Sequence, residues 1–175
     1  MSGGMELYLH MPFCVRKCAY CDFLSFPTDQ ETQNLYTRRL REDIDAMGKK
    51  YGDIPVDTIF IGGGTPSVPD SALIVGIMEH VRKAFHVAEG AEISMEANPG
   101  TVTREKLTDY RRAGINRLSF GLQSANDREL KLLGRIHTWA EFLESFHLAR
   151  ECGFTNINID LMSALPGQTR ESWKD

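Results

Sequence analysis

Three cysteines within eight consecutive positions constrain this chain more than any other feature. Cys14, Cys18 and Cys21, spaced x3 then x2, follow the short apolar run Leu7-Tyr8-Leu9 and use three of the four cysteines in 175 residues. Scattered placement rarely produces such a group, so the loop holds something through its thiolates. The spacing admits two kinds of occupant. A structural zinc ion wants four ligands, and His10 is close enough in sequence to complete the set. An iron–sulfur cubane normally takes four thiolates; held by three, it keeps one iron open for an exchangeable ligand. Cys152 lies on a helical stretch beside Gly153 and reads as a packed thiol.

Clustered thiols signal metal or redox chemistry where the surroundings keep them reduced. A cytoplasmic location is the expectation, because Met1-Ser2-Gly3-Gly4 opens neither a basic leader nor an apolar targeting stretch. No apolar run approaches the roughly 18 residues of a membrane span. The net charge is −4, with both signs mixed along the chain, which argues against a nucleic acid or an anionic membrane as partner. A small-molecule ligand is expected instead.

Around the cysteines the chain alternates between two periodicities. Tyr36, Leu40, Ile44 and Met47 recur on one face of a helix over residues 31–50. Thr58-Ile59-Phe60-Ile61 is apolar on both faces, as in a buried parallel strand, and Gly62-Gly63-Gly64-Thr65-Pro66 ends it. A helix is predicted over 70–85, a strand over 92–96, and a helix capped by Thr103 and closed by Gly114. A strand over 117–122, one or two helical pieces within 125–152, and a fifth strand over 156–161 follow. Gly62, Glu96, Gln123 and Asp160 end successive strands at intervals of 34, 27 and 37 residues, one βα unit each. Such a repeat suits a doubly wound sheet or a barrel, and in both the ligand sits at the carboxyl ends of the strands. The run Glu171-Ser172-Trp173-Lys174-Asp175 reads as the opening of another helix, so the chain is expected to be part of a longer one.

The cysteine spacing, with aromatic Tyr20 before the last thiol, resembles the signature of the radical S-adenosylmethionine (SAM) family. The glycine-rich run after the second strand stands where that family has its own. Leu7-Tyr8-Leu9-His10-Met11-Pro12-Phe13-Cys14, Met95-Glu96-Ala97-Asn98-Pro99-Gly100 and Leu133-Gly134-Arg135-Ile136-His137 are similar to the coproporphyrinogen dehydrogenase group and its haem-chaperone relatives, the HemW kind. The coproporphyrinogen enzymes carry a further cysteine two positions after the third; here that position is Phe23, as in the chaperones. A departure is Ala164, where the family has glycine before Leu165-Pro166, a position at which alanine tolerates a positive φ poorly.

The resemblance implies an α/β fold, a partial (β/α)6 barrel with five parallel strands present, and residues 1–175 as an incomplete radical-SAM core. It implies a 4Fe-4S cluster on Cys14, Cys18 and Cys21, with SAM on the open iron. Gly63, Gly64 and Thr65 would face the SAM amino group and Glu96 a ribose hydroxyl or the amino group. Gln123 and Asp160 would complete the SAM site, Arg135 would offer its fork to a carboxylate, Tyr20 would line the adenine, and the Tyr8 hydroxyl would reach the ligand. No residue is assigned a catalytic role, and His10 and His137 carry none. The implied activity is haem binding and transfer to an acceptor protein, with haem a further cofactor. The alternative is SAM-dependent oxidative decarboxylation of the propionates of coproporphyrinogen III.

Overall fold

Each strand after the first pairs with the strand before it. The computed structural model describes residues 4–174; the leader reading at residues 1–3 and the end of the last predicted helix, Asp175, lie outside the described residues. β1 (Met5–Met11), β2 (Val56–Gly63), β3 (Val87–Ala97), β4 (Arg117–Gln123) and β5 (Asn156–Leu161) form one parallel sheet in the order β1-β2-β3-β4-β5. A doubly wound sheet reverses its order at a switch point. This one never does, so the sequence alternatives resolve to a singly wound arc of a β/α barrel.

The connections are α1 (Gln30–Tyr51), α2 (Ser71–Ala84), α3 (Arg104–Arg112), the pair α4 (Asp127–Leu132) and α5 (Trp139–Glu151), and a closing turn α6 (Arg170–Lys174). Caps predicted from sequence are in place: the Thr103 side chain accepts from Lys106 N, and Gly114 follows its helix at φ 87; Gly153 ends α5 in the same way at φ 88. The stretch 125–152 breaks in two at Gly134, whose φ is 75. β1 extends beyond the apolar run Leu7-Tyr8-Leu9 because it pairs with β2 from Met5 to Met11, and β3 extends beyond 92–96 because Val87 pairs with Val56 of β2 and Ala97 with Phe120 of β4, with register shifts at Met5/Glu6 and Val56/Thr58.

Alternation sorts the strand residues onto two faces. Leu9, Met11, Ile59, Ile61, Ile93, Met95, Leu118 and Phe120 are buried against the helices, and each such side chain contributes about 1.5–3 kcal/mol by leaving water. The other face carries Tyr8, His10, Ser94, Glu96, Ser119, Gly121, Asn158 and Asp160, a polar set that a barrel would enclose. Register brings its upper members level: His10 opposite Gly62, Glu96 opposite Ser119, and Gly121 opposite Asp160.

Among the described residues two non-glycines hold positive φ, Gln123 at 73 and Ala164 at 60. The strain expected at Ala164 from its sequence is therefore present. Gln123 is strained where β4 ends and its register with β5 slips, between Gly121 and Gln123. Such outliers collect at functional sites.

Candidate functional site

The cysteine loop is a closed strap. Pro12 O accepts from Phe26 N at 2.9 Å and Phe26 O from Cys14 N at 3.2 Å, so the two ends of the loop are zipped together. Phe13 anchors the base, 1% exposed and edge-on to Tyr36 at 5.3 Å between centroids. Gly64 N donates to Met11 O at 2.8 Å and Thr65 N to Phe13 O at 2.6 Å, which stitches the strap to the end of β2. Glycine is required there: a Cβ on residue 64 would stand 2.6 to 2.9 Å from three backbone atoms of Met11 and Phe13. Gly63, at φ 116, has the His10 ring where its side chain would be.

On its far side the strap is held by the turn after α4. Ala19 N donates to Leu133 O at 3.0 Å and Arg16 to Gly134 O at 2.6 Å. Cys14, Cys18 and Cys21 are half-buried free thiols, while Phe23 and Leu24 at the tip are exposed. His10 has both ring nitrogens engaged, Nδ1 with the Tyr8 hydroxyl at 3.1 Å and Nε2 with Leu24 O at 2.9 Å. Histidine therefore locks the strap to β1 and has no nitrogen left for a zinc ion.

Beneath the thiols lies a cavity of about 760 Å³ that reaches across the strand ends from β2 to β5. Cys14, Cys18, Cys21, Tyr20, Gly63, Gly64, Thr65, Glu96, Gln123, Arg135 and Asp160 all line it. Eleven of the twelve residues singled out from sequence are thus gathered in one place. Tyr8 is the twelfth: it does not line the cavity, it is 59% exposed, and its hydroxyl serves His10.

Glu96 Oε2 accepts from Gly63 N at 2.9 Å. Burial pushes its carboxyl above the usual range and Asp160 adds to this, while the Gly63 N–H and His10 act against it. Asp160, on β5, accepts from Ser119 at 3.0 Å and from Asn158 at 2.8 Å. Burial also raises the Tyr20 hydroxyl, with Arg135 opposing. The Arg135 fork, expected to face a carboxylate, is engaged inside the protein: Nη2 donates to Asn98 Oδ1 at 2.7 Å and Gly121 O at 2.6 Å, and Nη1 lies 3.7 Å from Cys18 Sγ.

Asn98 and Ser119 also line the cavity and were missed from sequence. Asn98 entered only as part of the motif Met95-Glu96-Ala97-Asn98-Pro99-Gly100, whose turn residues follow the third strand, and was given no role in the site. Ser119 shares the period-two face of Gly121 and Gln123, a signal sufficient to place it.

Among the described residues, no three His, Cys, Asp or Glu side chains converge on one point as a single metal ion requires. A cubane asks for a different arrangement, because each thiolate meets its own iron at a separate corner. Three half-buried thiols spread over one loop, above a cavity of about 760 Å³ with room for a second molecule, fit a cluster and a ligand beside it. They do not fit four-coordinate zinc.

A singly wound parallel sheet with a three-thiol strap on its first strand end defines a partial β/α barrel built to hold an iron–sulfur cofactor and a neighbouring ligand. The chain matches the Radical SAM superfamily model over residues 8–175, and it belongs to that superfamily, which implies a 4Fe-4S cluster and SAM. It is 43% identical to the protein named Heme chaperone HemW of Escherichia coli (strain K12), over 95% of this chain and 44% of that one. It is 39% identical to the Bacillus subtilis (strain 168) protein of the same name, over 93% of this chain and 43% of that one. The solved structure titled Coproporphyrinogen III oxidase (HemN) from Escherichia coli is a Radical SAM enzyme superposes with a TM-score of 0.91 at 34% identity, covering 98% of this chain and 40% of that one. The chain thus spans less than half the length of these relatives. Among the described residues no helix is long and apolar enough to cross a membrane.

Proposed function

We propose that this chain is the cluster- and SAM-binding core of a haem chaperone of HemW type, which binds haem and passes it to an acceptor protein. The observation that carries the reading is the 43% identity to a HemW over 95% of the chain, against 34% to the coproporphyrinogen oxidase structure. Phe23 supports it, since it stands where the enzymes bear an extra cysteine and is 68% exposed.

In this reading Cys14, Cys18 and Cys21 hold the cluster. Gly63 and Gly64 line the cavity where the SAM amino group would lie, and Glu96 fixes the Gly63 backbone while offering its second oxygen. Gln123, strained at the end of β4, and Asp160, oriented by Ser119 and Asn158, bind the remainder of SAM. Tyr20 covers the adenine. In the chaperone the cluster and SAM would be a structural or regulatory site, and one-electron chemistry belongs to the enzyme reading below; in either, the protein's part is to orient them and to exclude water from the cavity.

The second reading, an oxygen-independent coproporphyrinogen oxidase, draws on the TM-score of 0.91 to that enzyme. The two separate on haem. Titrating the whole anaerobically reconstituted protein with haem, and following the Soret band, is expected to show saturable binding near one haem per chain. Absence of a Soret shift, together with robust SAM-dependent loss of carbon dioxide from coproporphyrinogen III, would overturn the chaperone reading.

A further inference from the structure

Two of the three cluster thiols are joined by a line of hydrogen bonds that runs outside the strap. Thr65 Oγ1 lies 3.6 Å from Cys14 Sγ and accepts from Asn98 Nδ2 at 2.9 Å. Asn98 Oδ1 accepts from Arg135 Nη2 at 2.7 Å, and Arg135 Nη1 lies 3.7 Å from Cys18 Sγ. Each member sits on a different support: Thr65 after β2, Asn98 after β3, Arg135 after α4. The Gly121 carbonyl holds the guanidinium from a fourth, β4.

With Cys14 and Cys18 as cluster thiolates, which can only accept, proton accounting gives every link one direction. Arg135 has only hydrogens to give. Asn98 receives on its oxygen and gives from its nitrogen. Thr65, receiving from Asn98, keeps its own hydrogen for Cys14 Sγ. Both ends of the line therefore present a donor to sulfur, and one of the two donors carries a full positive charge. Among the described residues Cys21 Sγ has no such donor.

Donors and cations beside cluster sulfurs favour the more negative, reduced cluster, because they stabilise the added charge. We propose that Thr65, Asn98 and Arg135 form a tuning arc that raises the reduction potential of the cluster through Cys14 and Cys18. The proposal rests on the cluster reading above. It also gives Arg135 work other than gripping a carboxylate of SAM.

The test uses the whole protein, reconstituted anaerobically, with iron counted per chain and the cluster titrated with dithionite under EPR in the absence of SAM. Arg135→Gln keeps a polar side chain but removes the charge and the fork. It is expected to make one-electron reduction about tenfold less favourable, a midpoint about 59 mV lower. Thr65→Val, which removes only the hydroxyl, is expected to cost about threefold in the same direction, and Thr65→Ser to restore the wild-type midpoint. Should Arg135→Gln fail to take up the cluster, the Thr65 pair decides by itself. Midpoints unchanged in variants of normal iron content would overturn the arc and leave the cluster reading intact. A wild-type protein that takes up no iron would remove the cluster reading itself.

Discussion

Gly64→Ala tests whether the strap and the glycine run are one mechanical unit. The new Cβ would lie 2.6 Å from Phe13 O, 2.9 Å from Met11 O and 2.9 Å from Phe13 N. Real Cβ atoms do not approach other heavy atoms this closely, and none of the three neighbours is a side chain able to rotate away. The strap must move off β2. That motion weakens the Gly64–Met11 and Thr65–Phe13 hydrogen bonds, each worth roughly 1 kcal/mol net. Overpacking in a closed site adds about 1–3 kcal/mol. The combined loss is about 2–4 kcal/mol, and a domain of this size gives up about 2–4 °C of Tm per kcal/mol. Thermal unfolding followed by circular dichroism is therefore expected to show a midpoint at least 4 °C lower. Because the strap carries Cys14, iron per chain after reconstitution should fall as well. Gly100→Ala is the control: no heavy atom lies within 4 Å of its Cβ, although its φ is 77. It should lose some stability from backbone strain and keep its iron. A Gly64→Ala protein with wild-type Tm and iron, or a Gly100→Ala protein that loses iron equally, would refute the reasoning.

Other positions give independent expectations. Glu96 has its carboxyl raised by burial, so its contribution to stability is fully present below the ordinary carboxylate range and is lost as pH rises through the raised value. In metal-free protein, Glu96→Gln should gain on wild type in urea midpoint as pH rises above 4.5; a difference that does not move with pH would contradict this. His137 is 4% exposed and burial holds it down to about 4, so its contribution is present above about 6.5 and is lost as pH falls toward 4. His137→Gln should flatten the acid limb of the stability curve in that window. Tyr110 is fully buried and, among the described residues, its hydroxyl has no partner, an arrangement that costs about 1–3 kcal/mol. Tyr110→Phe is expected to leave Tm unchanged or raise it, and a fall of several degrees would show that the hydroxyl is satisfied. Ala164→Gly should release left-handed strain of about 1 kcal/mol, read as a higher urea midpoint.

Much of this molecule was legible in its sequence because its signals are local. The cysteine spacing, the β-branched run at Thr58 and the caps at Thr103 and Gly114 each depend on a few adjacent residues. Strand order was not, since periodicity alone does not say whether a parallel sheet reverses; pairing of β1 with β2 and of β4 with β5 settles that. Within the site, cavity-lining residues were found where a strand end or a glycine run announced them. Asn98 escaped because a turn residue and a hydrogen-bond relay look identical in sequence. Arg135 lines the cavity, and its partners were not legible, because they come from positions 98, 121 and 18, and only the fold brings those together. Tyr8 shows the same limit from the other side: two residues from His10 on the same strand face, it spends its hydroxyl there.

Counting metal in the reconstituted protein and recording the EPR spectrum of its reduced form with and without SAM tests the central claim most directly. Three thiolates with one iron left open should give about four irons per chain, no zinc, and a spectrum that changes when SAM is added. Stoichiometric zinc, or a cluster whose spectrum is indifferent to SAM, would contradict it.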